Sequence, residues 1–351
     1  MKRILPLLIM ITLPLDAQTG DVPDKVGPKE ESHTLRLTAR ALTEDNKPLE
    51  NADVHVAIEN FNDFKDGSND ISGKTDKDGI FSAEGVGRPV ATIVAEHEGF
   101  YPSTKRYGNW DKFEEARKTG KYIPWDPVID LTLRKIGKPI PMLVWLGNEI
   151  NRNASPDPGR EVGYDMFVHD WVAPHGKGKV SDLLITLQVQ PGDESIRKVK
   201  GEIRFGNKDD GLIPVMEFSA PESLLKYPRS APEEGYELKD VHLFFPIGVN
   251  RDQAEQKEPL GYMFRIRTRK QEPSGKVVSA YYGKIVAPVG YTENANPFVV
   301  FSFPRKDNRN IFDPYVEFSY YLNPTANDRN LEYDQRTNLA PEADKGVTYP
   351  P

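Results

Sequence analysis

From Thr34 the chain alternates, with Leu35, Leu37, Ala39 and Ala41 on one side and Thr34, Arg36, Thr38 and Arg40 on the other. A period of two is the mark of a strand with one buried face. Val54, Val56 and Ile58 repeat it, Ile80-Phe81 and Val90 to Ala95 predict two more short strands, and Val128, Ile129, Leu131 and Leu133 predict a further one. The stretch Asn109 to Pro127 is polar, and Asp111 to Lys118 suits a short helix bracketed by Trp110, Tyr122 and Trp125. Two prolines and a glycine in Lys135 to Pro141 then mark a joint near residue 137. Beyond it, apolar alternation recurs at Met142 to Leu146, Val162 to Val168, Leu183 to Val189, Gly201 to Phe205 and Leu238 to Phe245. It continues at Tyr262 to Ile266, Val277 to Val286, Phe298 to Phe303 and Tyr315 to Leu322. The only helix candidate there is Pro221 to Lys226, where Pro221 suits a first-turn position. Short strands separated by turn residues predict an all-β chain of two sandwich-like domains, over 34–136 and 137–340, the second larger and β-sandwich or jelly-roll-like. Residues 18–33 read as a polar lead-in and 341–351 as a loosely ordered tail.

Three segments of the first domain carry a family likeness: Leu42 to Val54 with Lys47-Pro48-Leu49 and Ala52-Asp53-Val54, Gly73 to Phe81 with Asp76-Lys77-Asp78-Gly79, and Val90 to Tyr101 ending Glu98-Gly99-Phe100-Tyr101. Together they resemble a carboxypeptidase regulatory-like, transthyretin-like β-sandwich module. The resemblance implies a module attached to peptidases, outer-membrane receptors and adhesins alike, usually without catalytic residues of its own. Asp78-Gly79 is expected to supply a positive φ in a hairpin, and Gly99 to let the chain leave its strand. In the second domain, Val162 to Asp165 with Asp170 to Lys179, and Tyr320 to Pro324 with Arg329 to Glu332, are similar to a group of secreted bacterial proteins for which no activity is implied.

The start of the chain adds a compartment. Lys2 and Arg3 precede an apolar run from Ile4 to Leu15, and Asp16-Ala17 closes it with a small residue, the layout of a secretory signal cleaved after Ala17. The run is too short for a spanning helix, which needs about 20 apolar residues. There is no cysteine, so an exported form depends on core burial without disulfides, a usage suited to a bacterial envelope, periplasmic or extracellular. The 38% hydrophobic content is enough for a real core. A formal net charge of -7 offers no broad basic footprint, which argues against nucleic acid as a partner.

Candidate chemistry concentrates in a few places. His169-Asp170-Trp171 and His175 could place two imidazoles and a carboxylate on one metal, but the spacing matches no ligand motif, and adjacent strand residues face opposite ways. Gly176-Lys177-Gly178-Lys179 could offer amides and ammonium groups to an anion, although the phosphate-loop spacing is absent and a solvated turn is the plainer expectation. Asp76-x-Asp78-Gly79 opens like a calcium loop without the later ligands. Paired carboxylates such as Asp165 with Asp170, or Glu114 with Glu115, have no feature that sets them apart for glycoside cleavage. No Gly-x-Ser-x-Gly is present for acyl transfer. Asn153-Ala154-Ser155 matches a glycosylation triplet of the kind chance often supplies. Tryptophan can stack on sugar rings where it is exposed; Trp145 sits in an apolar run, so Trp110 and Trp125 are the better platform.

The expected function is a non-catalytic extracytoplasmic module that binds polysaccharide or an envelope protein, without cofactor, metal or membrane span after signal cleavage. Its candidate ligand-binding residues are Trp110, Tyr122, Trp125, Trp171, His175, Lys177 and Lys179. The alternatives are a glycan hydrolase with a carboxylate site in the second domain, and an assembly subunit that pairs a sheet edge with a partner strand.

Overall fold

The computed structural model describes residues 32–60, 68–110, 113–147, 153–191, 198–245, 259–288, 297–308, 311–340 and 351. The expected export signal at 1–17, most of the expected lead-in and residues 341–350 of the expected tail lie outside them. Among the described residues no helix is long and apolar enough to cross a membrane.

In the first part the chain forms β1 (His33–Thr43), β2 (Asp53–Glu59), β3 (Ser68–Lys74), β4 (Ile80–Gly87), β5 (Val90–Glu96), β6 (Phe100–Tyr101) and β7 (Ser103–Gly108). A single helix, α1 (Phe113–Thr119), and then β8 (Val128–Lys135) complete it. Two four-stranded sheets result, in the orders β4-β1-β8-β6 and β3-β2-β5-β7. The alternation explains why they stack: Leu35, Leu37, Val56, Ile58, Ile93, Leu131 and Leu133 all point between them and are fully buried. Each such side chain contributes roughly 1.5–3 kcal/mol by leaving water. β1 pairs antiparallel with β4 and parallel with β8, with Thr38 opposite both Ser82 and Val128.

The turn at Asp76 to Ile80 corrects one expectation. Gly79 does have positive φ, 73°, and Asp76 Oδ1 accepts the Asp78 and Ile80 amides, but β3 and β4 belong to different sheets. The turn is therefore a crossover between layers, with no hairpin ladder on either side. Gly79 is required there because a Cβ would meet the Ala41 carbonyl at 2.6 Å.

The second part contains β9 (Ile140–Trp145), β10 (Asn153–Ala154), β11 (Glu161–Asp165), β12 (Asp170–Trp171), β13 (Leu183–Val189), β14 (Val199–Phe205) and β15 (Gly211–Val215). It continues with β16 (Asp240–Phe245), β17 (Gly261–Gln271), β18 (Lys276–Val286), β19 (Phe298–Pro304), β20 (Phe312–Leu322) and β21 (Tyr333–Asn338). An eight-stranded sheet, with the path β15-β17-β18-β20-β9-β21 and β10 and β19 beside β20, faces a five-stranded sheet, β12-β11-β13-β14-β16. Their common core includes Tyr164, Leu187, Phe264, Ile285 and Phe318.

The larger sheet is buried on both faces. On its outer side Tyr227, Tyr236 and Leu331 pack against Met263, Ala280 and Tyr282. That is why Gly261 to Ile266 is buried without interruption in place of a clean alternation. The segment 221–226, expected as a helix, belongs to this outer layer: Ser223 bridges Ser103, and the Thr104 amide donates to the Glu222 carbonyl. Backbone pairing with β7 has displaced the weak local preference for a helix.

The same layer meets the first part through a buried ionic joint. Arg134 donates through Nε to Glu44 at 2.7 Å and through Nη1 to the carbonyls of Leu225 and Tyr227. Glu332 accepts from the Tyr101 hydroxyl (2.8 Å), the Gly137 and Lys138 amides and Arg229. Beside it Lys284, 1% exposed, lies 4.6 Å from the Tyr321 ring centre, and its Nζ makes no hydrogen bond among the described residues. Burial first, and Arg134 second, push its pKa down to about 7, with Glu332 opposing.

Candidate functional site

All four tryptophans lie within the described residues, and two of them face water. Trp110 is 49% exposed and Trp125 36% exposed. The segments that carry them are stitched at one corner of the first sandwich: Asn109 Nδ2 donates to the Ile123 carbonyl at 3.1 Å, the Asn109 amide donates to the Pro89 carbonyl, and the Tyr122 hydroxyl donates to the Gly87 carbonyl. Tyr122 anchors this corner from within. Its ring is buried in the first core, so its placement among ligand-contacting residues is corrected: it supports the platform and does not face a ligand. Lys121 Nζ sits 4.5 Å from the Trp125 ring centre, a cation–π contact on one side of the indole.

Asp126, directly after Trp125, turns onto the outer face of β1. It has φ 58° and accepts from Arg36 Nε at 3.1 Å and from the Thr38 hydroxyl at 2.7 Å. Arg36 also reaches Glu84 at 3.1 Å, and four residues along the strand, Arg40 holds Asp130 through two bonds of 2.7 and 2.9 Å. None of these charged residues was singled out from the sequence. The alternation places Arg36 and Arg40 on the solvent side of β1, but their partners come from residues 48 to 90 positions away.

The loop between β11 and β13 carries the other candidates. Asp165 is buried and both of its oxygens are occupied: Oδ1 accepts the Phe167 and Val168 amides and Arg267, and Oδ2 accepts those of Lys179 and Val180. Arg267 reaches it from a break in the β17–β18 register after Ile266, where its φ of 51° turns the guanidinium toward Asp165 and Asp182. Burial alone would raise the Asp165 carboxyl; the amides and Arg267 outweigh it and hold the group below its usual range. Asp170 in turn accepts the Trp171 and Lys177 amides, and the Gly178 amide donates to the Trp171 carbonyl. The amides expected to cradle an anion are therefore spent inside the loop. His175, Lys177 and Lys179 remain exposed and offer side chains only. Trp171 is buried edge-to-face on Tyr164, which corrects its place as a ligand contact.

His169 is turned inward and away from His175. Its ring stacks on Trp145 at 4.0 Å between centres, and Nδ1 lies 2.7 Å from the Tyr164 hydroxyl and 3.2 Å from that of Tyr320. Tyr320 donates its own proton to the Met166 carbonyl, and the direction of the Tyr164–Nδ1 hydrogen bond follows the ring tautomer. Burial lowers the His169 pKa to about 4, so the ring is neutral across physiological pH. Among the described residues no group of three or more His, Asp or Glu side chains is arranged to hold a metal ion. Glu114 is tied to Arg117 on α1, and Asp165 and Asp170 spend their oxygens on loop amides. Neither pair leaves a carboxylate couple open across a substrate.

No family model matches the sequence, and no curated protein matches it. Among solved structures, 3-chlorocatechol 1,2-dioxygenase from Rhodococcus opacus 1CP is similar at 15% identity over 31% of this chain and 62% of its own, with a TM-score of 0.23. The chain thus spans less than two thirds of that dioxygenase. A shaft pilin from Lactobacillus rhamnosus GG is similar at 11% identity over 52% of this chain and 90% of its own, with a TM-score of 0.21. A protein from Bacteroides uniformis ATCC 8492, provisionally described as carbohydrate binding, is similar at 9% identity over 71% of this chain and 89% of its own, with a TM-score of 0.18. At these values the similarity fixes neither an activity nor a ligand.

Proposed function

We propose that this protein is a non-catalytic extracytoplasmic binding module that holds polysaccharide on the indoles of Trp110 and Trp125. The observation that carries this reading is their joint exposure on segments stitched by the Asn109–Ile123 hydrogen bond. An exposed indole on a rigid support gives a sugar ring a flat apolar face at little entropic cost. His175, Lys177 and Lys179, on the carboxylate-braced loop, form a separate polar contact surface. In this reading 1–17 direct export and are removed, 18–33 are a lead-in, and residues 34–136 act as a carboxypeptidase regulatory-like module. Residues 137–340 form the second sandwich, and 341–351 are a tail. The Lys2-Arg3 start with its short apolar run supports export, and the β-sandwich with its layer-crossing turn at Gly79 supports the module.

The test is co-sedimentation of the chain from Gln18 with insoluble polysaccharides, with released sugar measured in the same tubes. Bound protein without released sugar is expected, with Trp110→Ala and Trp125→Ala each weakening binding by about tenfold, as the loss of a stacking contact of ~1.5 kcal/mol implies. Sugar release would instead establish a hydrolase. Absence of binding would direct attention to an envelope-protein partner.

A further inference from the structure

We infer that the outer face of the β4-β1-β8 sheet is a docking surface for an uncharged polysaccharide chain, which enters at Trp125 and runs along β1. The inference rests on the polysaccharide reading above and adds the chemical class of the ligand and the path it takes. Charge is its first support. Arg36, Arg40 and Lys121 supply three positive charges around this face, Glu84, Asp126 and Asp130 supply three negative ones, and Lys105, which also acts on Asp130, is paired with Glu222. Each arginine is already matched to a carboxylate, so a uronate or sulfate meets no surplus positive charge and would have to displace a partner.

Hydroxyl groups face no such conflict. Arg36 Nη2, Arg40 Nη1 and Glu84 Oε1 have no partner among the described residues, so each ion pair shows an open donor or acceptor to water. A vicinal diol can accept from the guanidinium and donate to the carboxylate of one pair at once. Val86 and Val128, both more than half exposed, share this face through their register with Thr34 and Thr38 and give the apolar sides of sugar rings something to lie on. Arg36 and Arg40 are four residues apart on one strand, roughly 13 Å at ~3.3 Å per residue, so the surface is longer than one sugar ring.

Stability does not account for the rows. Ion pairs this exposed add little to stability, so Arg40→Gln leaves the fold intact. The experiment is affinity electrophoresis of the chain from Gln18 through gels carrying hydroxyethylcellulose, mannan, dextran or, as the charged comparison, alginate. Retardation by at least one neutral glycan is expected, unchanged between about 0.05 and 0.5 M NaCl because no net charge is neutralised. Arg40→Gln and Asp130→Asn should each weaken it about fivefold. Retardation by alginate alone, falling with salt, would overturn the inference while a loss in Trp125→Ala kept the indole platform standing. Retardation by a neutral glycan that Arg40→Gln and Asp130→Asn both leave unchanged would also overturn it. If those two variants weaken binding but Trp110→Ala and Trp125→Ala do not, the platform falls and the sheet face stands. No retardation in any gel would overturn both.

Discussion

Burial of an amine against tyrosine rings gives Lys284 a pH-dependent effect on stability. The folded group titrates near 7 and an ordinary lysine near 10.5, so between these values the unfolded chain holds a proton that the folded chain lacks. Stability from this group therefore rises as pH climbs from about 7 to about 10.5, and its cost is complete below 7. Lys284→Met is expected to raise the melting temperature by a few degrees at pH 7, with the gain shrinking toward pH 10. An equal gain at both pH values would show that packing, not the buried charge, is responsible. The sequence gives little hint of this residue, because Lys284 in Tyr281 to Val286 looks like the solvent-facing member of an alternating strand. Only the covering layer around Tyr227 reverses that, and a layer assembled from Tyr227 and Tyr236 well before it and Leu331 well after it leaves no periodic trace. The exposed tryptophans were more legible. They stand in a stretch with no apolar alternation to bury them.

At the scale of strands, the packing of β17 on β18 depends on Gly283. It is the register partner of Phe264, and a Cβ there would collide with the Phe264 ring and the Tyr321 carbonyl. Gly283→Ala is expected to cost roughly 1–3 kcal/mol through overpacking, visible as a lower urea midpoint. Strands with strong alternation were legible to within a few residues: Leu183–Val189 was expected as it stands, and β18 and β19 each differ by one residue at an end. β3 was not, because Ser68–Lys74 is an edge strand of mostly polar residues that buries no continuous face. β21 was missed for a similar reason: Tyr333–Asn338 has one fully buried large residue, and its place is set by β9, nearly two hundred positions away. Within the β11–β13 loop, Gly176 to Lys179 read as a solvated turn and His169 to His175 as a structured loop. Its rigidity comes from Asp165 and Arg267, which no local pattern connects.

Across the whole molecule, Glu332 ties the two sandwiches together, holding Tyr101, the joint at Gly137 and Lys138, and Arg229 at once. Its removal strands the Gly137 and Lys138 amides and leaves Arg229 to Glu44 alone, and Glu332→Ala is expected to cost roughly 1–3 kcal/mol and to open the joint to trypsin at Lys135. Unchanged cleavage would mean that Arg134 and the Ser103–Ser223 bridge suffice. The order of strands also sets a timetable for a chain made from its N-terminus. The first sandwich has all its strands once residue 135 has emerged, whereas β9 must wait for β20 and β21, its two neighbours in the sheet. Until 179 further residues have been made, by the Leu143 to Leu322 pairing, an apolar strand waits beside a finished domain. A secretion pathway that threads the chain unfolded and releases it whole would spare β9 that interval.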